Sequence, residues 1–385
     1  MLIKFFKPYI SGNELKYIKD LFDNRLDLSG DGKYTKMAQE FLEKKYHVNK
    51  VFLTTSGTTA LELAVRLLDL KPGDEVIVPS FTFSSTVNAI LFSYGVKVVF
   101  TEIQKDTLNI DPKDIKRKLN KNTKAIMVVH YAGVACDMDR IMKTAKESNL
   151  KVIEDAAQAI ESKYKNKYLG TIGDFGCLSF HDTKNATCGE GGALYINTDD
   201  KKIIEKAEII REKGTNRTKF FRGEVDKYTW VDVGSSILPS DILAAFLLAQ
   251  LESIDEITKK RLKAYNYYKK LLSKYEKHKI FRIPKIPKYA IHNGHIFYVI
   301  FSSEKDRNFT MDFLRKNGVQ ATFHYIPLHS APQGIRLGYK ASDLKITENV
   351  SKCVMRFPLY ADMAKEEIKY VAKVFEEAMK KLHGK

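Results

Sequence analysis

Between about residues 50 and 200, short β-branched apolar runs alternate with stretches of helical spacing. Val51-Phe-Leu53, Glu75-Val-Ile-Val78, Val96-Lys-Val-Val-Phe100, Ala125-Ile-Met-Val-Val129 and Lys151-Val-Ile-Glu154 read as buried strands. Helical patterns fall between them at 58–68, 84–94, 111–119 and 137–148. Near-continuous apolar strands alternating with amphipathic helices predict βαβ crossovers and a mainly parallel sheet covered on both faces.

The rhythm changes after Gly192. Residues 193–197 predict one more strand and 200–213 a helix, followed by an irregular stretch at 214–239. A stretch that long without elements of its own is usually functional or clamped by a partner. Long helical patterns at 240–251 and 254–275 lead to a smaller α+β portion with a strand at 296–301 and helices at 308–316 and 365–382. The expected architecture is α/β: a large domain over 1–254, N-terminal segment included, and a smaller C-terminal α+β domain over 255–385.

Composition narrows the class. With 44% hydrophobic and 29% charged residues, the chain has enough apolar surface to fold and is not a disordered polyelectrolyte. Its net charge of +17 suggests a polyanion partner, but the lysines are spread over the whole length. The densest run, Thr258-Lys-Lys-Arg-Leu-Lys263, falls on a helical pattern and reads as a solvated face. No nucleic-acid motif accompanies it. The positive field instead suits an anionic small substrate such as a nucleotide diphosphate. Cys136, Cys177, Cys188 and Cys353 form no CxxC pair, which argues against zinc and a disulfide framework and for a reducing cytoplasm. No apolar run approaches membrane-spanning length, and the first residues are too short in apolar content for a signal peptide, so a cytoplasmic protein is expected.

Four segments carry candidate chemistry, each just past a predicted strand. In Leu178-Ser-Phe-His-Asp-Thr-Lys184, a lysine precedes the glycine cluster Gly189-Glu-Gly-Gly192. The glycines leave room for a tight turn beside an amine, and desolvation would free that amine as a nucleophile. In Glu154-Asp155-Ala-Ala-Gln158, an acid at a parallel strand's C-terminal end points into the crevice where open α/β sheets bind ligands. Taken alone, Asp155 would equally serve as a helix N-cap. Thr54-Thr-Ser-Gly-Thr58 opens a helix, where free amides and hydroxyls cradle phosphate or simply cap. Pro79-Ser-Phe-Thr-Phe83 offers an aromatic at a strand end, available to stack on a flat ring. Together they are the parts of a pyridoxal-phosphate site: phosphate cradle, stacking ring, acid for the ring nitrogen and lysine for the aldehyde.

These motifs, in this order and over nearly the whole length, resemble the DegT/DnrJ/EryC1/StrS sugar aminotransferases, which have the fold type I architecture of pyridoxal-phosphate-dependent aminotransferases. The resemblance implies Gly57, Thr58 and Ser179 on the phosphate, Phe83 on the ring face, Asp155 on the pyridine nitrogen, Gln158 near the ring hydroxyl and Lys184 bonded to the aldehyde. Some relatives that dehydrate carry histidine in the lysine position; Lys184 implies transamination. The family also implies a homodimer with shared active sites. Many members bring an asparagine from the neighbouring subunit to the phosphate, whereas this chain has Leu238 there, leaving Ser235 or Ser236 as the substitute.

Four further segments are similar to members that make dTDP-4-amino-4,6-dideoxygalactose for cell-surface polysaccharide: Ser179 to Asn185, Phe220 to Trp230, Gly234 to Asp241 and Phe323 to His329. That likeness implies dTDP-4-keto-6-deoxy-D-glucose as acceptor and glutamate as amino donor. It places His324, Tyr325 and His329 near the sugar, with His181 bordering the cofactor. Arg222, together with Lys227 and Trp230, becomes a candidate for the diphosphate or base. Amination at C3, a UDP-linked sugar and a non-catalytic cofactor-binding regulator are the alternatives. His292-Asn-Gly-His295 has only two metal-type ligands and reads as a loop, so no metal is expected.

Overall fold

In the computed structural model, which describes residues 1–383, the apolar runs form the core of a seven-stranded sheet. The strands in chain order are β1 (Lys50–Thr54), β2 (Glu75–Pro79), β3 (Lys97–Thr101), β4 (Thr123–Val129), β5 (Lys151–Asp155), β6 (Lys163–Tyr164) and β7 (Lys167–Tyr168). They continue as β8 (Phe175–Ser179), β9 (Gly192–Ile196), β10 (Phe281–Arg282), β11 (Ala290–Ile291), β12 (Tyr298–Phe301) and β13 (Val354–Arg356). The large sheet has the order β1-β9-β8-β5-β4-β2-β3; β9 alone runs against the others. β6, β7 and β11 make a small separate sheet, as do β10, β12 and β13.

Strands buried on both faces explain the near-continuous apolar runs, since helices cover each side. Two apolar clusters fill the two sides, one containing Val51, Ile126 and Val152 and the other Phe52, Met127 and Ile153. The alternation of neighbours between clusters follows from the two-residue period of a strand. β5, β4 and β2 all end at one edge of the sheet. Because β9 is antiparallel to β8, the 180–191 loop that joins them turns back at that same edge. The sheet's topology thus carries Asp155 and Lys184 to one place. Gly192 is required there: a Cβ would sit 2.3 Å from the Ser56 carbonyl oxygen.

Glu154 and Asp155 point to opposite faces. Glu154 is fully buried and accepts from the amides of Gly170 (2.9 Å), Ile172 (2.6 Å) and Gly173 (2.6 Å), and from His130 Nε2 (2.8 Å). His130 Nδ1 accepts from the Cys136 amide (3.2 Å), so the ring proton is on Nε2, directed at the carboxylate. This pair pins the segment between β7 and β8 beneath the sheet.

The long helices Asp241–Glu252 and Ile254–Leu272 meet at Ser253. A second core packs the antiparallel sheet β10-β12-β13 with helices Glu304–Lys316 and Lys365–His383, around Tyr268, Phe297, Phe357 and Phe375. Ile3 belongs to this core, with its amide bonded to the Gly318 carbonyl (2.8 Å) and its own carbonyl accepting from Gln320 N (3.0 Å). The N-terminal segment therefore docks on the C-terminal unit, not on the large domain to which the sequence reading assigned it. A six-residue extended segment shows an apolar residue to bury but not which distant edge will receive it. Helices α1 (Glu14–Asp23) and α2 (Lys33–Tyr46) precede the first strand, and a short helix, Arg217–Phe221, interrupts the stretch expected to be irregular. Among the described residues no helix is long and apolar enough to cross a membrane.

Glu154→Ala leaves three amides, those of Gly170 and Gly173 buried, and a buried imidazole without their acceptor. It should lower unfolding stability by about 3–5 kcal/mol, read from urea titration, because removing one partner of a buried charged network strands the others.

Candidate active site

The C-terminal edge of the sheet and the facing part of the second core enclose a cleft of about 610 Å³, within the range that holds a cofactor and part of a substrate. Lys184, Asp155, Gln158, Ser179, Gly57, Thr58, Phe83, His181, His324 and Tyr325 all line it.

Lys184 is held by its loop. Its amide donates to the His181 carbonyl (2.9 Å), while Phe180 N bonds Gly191 O (2.8 Å) and Cys188 N bonds Phe180 O (3.0 Å). The next residue, Asn185, is buried and donates to the Asn293 carbonyl (3.2 Å). Its Oδ1 lies 2.9 Å from His295 Nδ1, which must carry the proton, since Nδ2 of the same amide is already donating. Burial depresses the Lys184 amine to about 8, with Asp155 opposing that shift and Arg356 reinforcing it. An amine so placed is neutral and nucleophilic far more often near pH 8 than an ordinary lysine.

Asp155 is buried, and burial raises its carboxyl above the ordinary range. Hydrogen bonds from Thr86 Oγ1 (2.8 Å) and the Ala157 amide (3.1 Å), and the nearby Lys184 charge, counter this. Among the described residues no cationic side chain bonds it, so a protonated ring nitrogen entering the cleft would meet an anion short of a partner. Gln158 is fixed at both ends: its Oε1 accepts from Ala132 N (2.7 Å) and its Nε2 donates to Tyr325 OH (3.0 Å). Tyr131 OH pairs with His324 Nδ1 (2.9 Å), and burial holds the His324 imidazole well below its usual value.

At the other end stands helix α3 (Gly57–Arg66), whose first amides have no partner within the helix. The capping box of Ser56 and Thr59 satisfies the Thr59 amide and leaves those of Gly57 and Thr58 to a ligand. The Thr58 and Ser85 hydroxyls are 2.7 Å apart, and Ser85 opens helix α4 (Ser84–Leu91) on the same cleft. A Cβ at Gly57 would lie 2.7 Å from that of Ser179, so only glycine lets the helix start this close to β8. Phe83 stands 60% exposed at the rim, a ring with a free face. Donors for a phosphate at one end, an under-partnered buried acid, an amine depressed by burial and an open aromatic face fit pyridoxal phosphate.

Six of the candidate site residues lie outside the cleft lining, Lys227, Trp230 and Ser235 among them. Arg222 is on the surface, bonded to Glu208 (2.9 and 3.0 Å) and Glu224 (2.6 Å), carboxylates that raise its already high value. His329 is fully buried, with Nδ1 2.7 Å from Ser80 Oγ, and does not reach the cleft lining. Ser236 is exposed, bridges to Glu212 and is also outside the lining, while the Leu238 side chain packs on Gly30. In the other direction, Thr86, His295 and Arg356 line the cleft without having been singled out as site residues. His295 was visible only as one end of a loop motif, and Arg356 stands in Val354-Met-Arg-Phe357 with no local feature to mark it.

The fold and this site together define a pyridoxal-phosphate aminotransferase. More particularly, a model of the DegT/DnrJ/EryC1/StrS aminotransferase family matches residues 8–376, and the chain belongs to that family. GDP-perosamine synthase of Escherichia coli O157:H7 is 30% identical over 376 residues, 97% of this chain and 98% of that one. The spore coat polysaccharide biosynthesis protein SpsC of Bacillus subtilis is 32% identical over 339 residues, 84% of each chain. Among solved structures, a Streptococcus pneumoniae protein in its PMP form superposes with a TM-score of 0.91 at 26% identity, covering 100% of this chain and 99% of that one.

The depressed Lys184 amine is open to direct titration. With the apo protein and a small acylating reagent, peptide mass spectrometry should show modification at Lys184 half-maximal near pH 8, while exposed lysines continue to gain reactivity at higher pH. Asp155→Asn should move that midpoint lower, because the carboxylate favours the charged amine.

Proposed function

We propose that this chain moves an amino group from glutamate to C4 of a nucleotide-linked 4-keto-6-deoxy sugar. The proposed acceptor is dTDP-4-keto-6-deoxy-D-glucose and the product dTDP-4-amino-4,6-dideoxy-D-galactose. The observation that carries the reading is one cleft holding Lys184, depressed to about 8, opposite a buried Asp155. Bound pyridoxal phosphate supplies an aldehyde for the amine and a protonated ring that accepts the electron pair left when a Cα proton departs.

The chain's own groups supply the rest. Asp155 would keep the pyridine nitrogen protonated, and Gln158, locked by Ala132 and Tyr325, would stand near the ring hydroxyl. Gly57, Thr58 and Ser179 would hold the phosphate, and Phe83 would cover one ring face. Lys184 would bond the aldehyde and, when its amine is free, would take the proton from the donor α-carbon and later give one to the sugar carbon. His181, His324 and Tyr325 line the space beyond and contact the sugar. The nucleotide extends toward the mouth, drawn by the net charge of +17.

A GDP-linked acceptor is the second reading, favoured by the 30% identity with GDP-perosamine synthase across nearly the whole chain. The purified enzyme should be given dTDP-, UDP- and GDP-linked 4-keto-6-deoxy sugars, and a 3-keto isomer, with glutamate. A mass gain confined to the dTDP 4-keto sugar supports the first reading; a preference for the GDP form replaces it with the second. Lys184→Ala should slow either reaction by about 10²- to 10⁴-fold, the usual worth of a positioned general acid–base.

The working unit in this proposal is a cytoplasmic homodimer. Phe221 (69% exposed), Trp230 (74%) and Val233 (71%) crowd the 214–239 stretch, an apolar surface for one copy to lay against its partner. Ser236 lies in the same stretch and is the proposed cross-subunit contact with the cofactor phosphate. Trp230→Glu should shift sedimentation toward monomer and reduce activity in parallel; an active monomer would overturn the arrangement.

A further inference from the structure

The His292-Asn-Gly-His295 segment, which reads as a loop in the sequence, lies between β11 and β12 and meets two parts of the site at once. Asn293 is fully buried, and its side-chain amide donates to the main-chain carbonyls of Gln158 (2.9 Å) and Ile160 (2.8 Å). Its own carbonyl accepts from the side chain of Asn185 (3.2 Å), the residue after Lys184. Its Oδ1 accepts from His295 N (3.0 Å), and His295 Nδ1 donates in turn to Asn185 Oδ1 (2.9 Å). Burial, reinforced by the charges of Lys184, Arg261 and Arg356, holds that imidazole well below its usual value, so it stays neutral and the bond keeps one sense. Arg261, from the helix Ile254–Leu272, braces the loop by donating to the carbonyls of Gly294 (3.2 Å) and His295 (2.7 Å). A Cβ at Gly133 would meet Asn293 Oδ1 at 2.1 Å, so the turn opposite comes as close as glycine allows. Ala132 and Gly133 both take left-handed angles in that turn (φ 59° and 74°), and the Ala132 amide is the one that fixes Gln158 Oε1. A left-handed alanine persists only where its surroundings over-determine it.

We propose that Asn293 is a positioning residue for transamination, setting the Lys184 main chain through Asn185 and the Gln158 carboxamide through the carbonyl and the turn that hold it. The inference rests on the aminotransferase reading and deepens it. The aldehyde and the ring hydroxyl of pyridoxal phosphate are neighbouring substituents on one rigid ring, so the groups that meet them must keep a fixed separation. Those groups come from different loops, Gln158 after β5 and Lys184 after β8. Among the described residues no hydrogen bond joins the 156–160 segment to the 180–191 loop directly, and Asn293 bridges them. Asn197 offers a comparison of like chemistry. Its amide also donates to two main-chain carbonyls, Gly170 (3.0 Å) and Gly173 (2.8 Å), but it lies outside the cleft.

The test compares Asn293→Ala, Asn185→Ala and Asn197→Ala. The first readout is Lys184 itself, acylated in the apo protein and followed by peptide mass spectrometry, with Asp155 and Arg356, the charges that act on it, unchanged. Asn293→Ala and Asn185→Ala should move the midpoint from near pH 8 to about pH 9, as the amine gains water. Asn197→Ala should lower the urea midpoint of unfolding and leave the acylation midpoint where it is. In holoenzyme, Asn293→Ala should lower kcat about 10- to 100-fold in both half-reactions, the effect of misplacing a reacting group by about 1 Å. KM for glutamate and for the keto sugar should change by less than about twofold, the scatter within which independent sites add. Adding Gln158→Ala to Asn293→Ala should then cost less than about twofold more, whereas on Asn185→Ala it should show its full effect. Asn293→Asp, of the same volume but with no hydrogen to give the two carbonyls, should behave as Asn293→Ala does. If the Asn293 variants do not fold, Asn185→Ala decides alone. A Lys184 midpoint that stays near pH 8 in Asn185→Ala overturns the proposal, and so does an equal shift in Asn197→Ala, which would mean general loosening. Wild-type enzyme in which these variants move Lys184 but which aminates no keto sugar would sink the proposed function and leave the positioning role standing.

Discussion

A buried acid and a buried amine facing one another across a cleft are the constraint to which the rest of the structure answers. Removing both from water pushes the carboxyl up and the amine down, and their mutual attraction partly reverses each shift. The contrast with the adjacent residue shows which burial serves structure and which serves chemistry. Glu154, on the opposite face of β5, is satisfied by three amides and a histidine. Asp155 receives one hydroxyl and one amide, and its remaining capacity faces the cleft. A strand that places successive residues on opposite faces can anchor the scaffold with one acid and polarise a ligand with the next.

What was legible in the sequence follows from range. The strands containing Val51, Ile77, Ile126 and Val152 each announce burial within five or six residues, and the crossovers between them fix their shared direction. The site residues at strand ends inherit that legibility, since topology alone sends the ends of β5 and β8 to the same edge. Lys184, Asp155 and Gln158 were expected together on this ground, and one cleft holds all three. Arg356 was not, because it reaches the cleft from a strand about 170 residues beyond Lys184 in a different sheet. His329 shows the converse failure. It is four residues past a cleft-lining segment that ends at Tyr325, yet the turn at Pro327 carries it beneath the surface to Ser80. Arg222 had phosphate-binding character, but Glu208 and Glu224 on its own side of the molecule claim it first.

The first residues were misassigned for a related reason. Backbone hydrogen bonds carry no side-chain signature, so the partner of an extended segment is set by tertiary packing, which no local pattern records. Ile3 pairs across more than 300 residues with the Gly318 to Gln320 edge, and Phe5 thereby comes to lie under Arg356. The amino terminus is thus part of the wall behind the cleft, although it is farther from Lys184 in sequence than any strand of the large sheet.

The cleft's two ends are built differently, and this bears on what relatives can and cannot share. The cofactor end consists of backbone amides, a helix start and strand termini, held by glycines that admit no side chain at Gly57 and Gly192. Such a region tolerates little change, so proteins about 30% identical can keep it while differing elsewhere. The other end is lined by His181 and the 323–325 segment, where side chains rather than packed backbone face the cleft. Loops carried on a rigid scaffold vary without cost to the core. Identity across the chain therefore establishes the chemistry of the amine and the ring more firmly than the nucleotide, and the sugar's identity must be read from the few side chains that touch it.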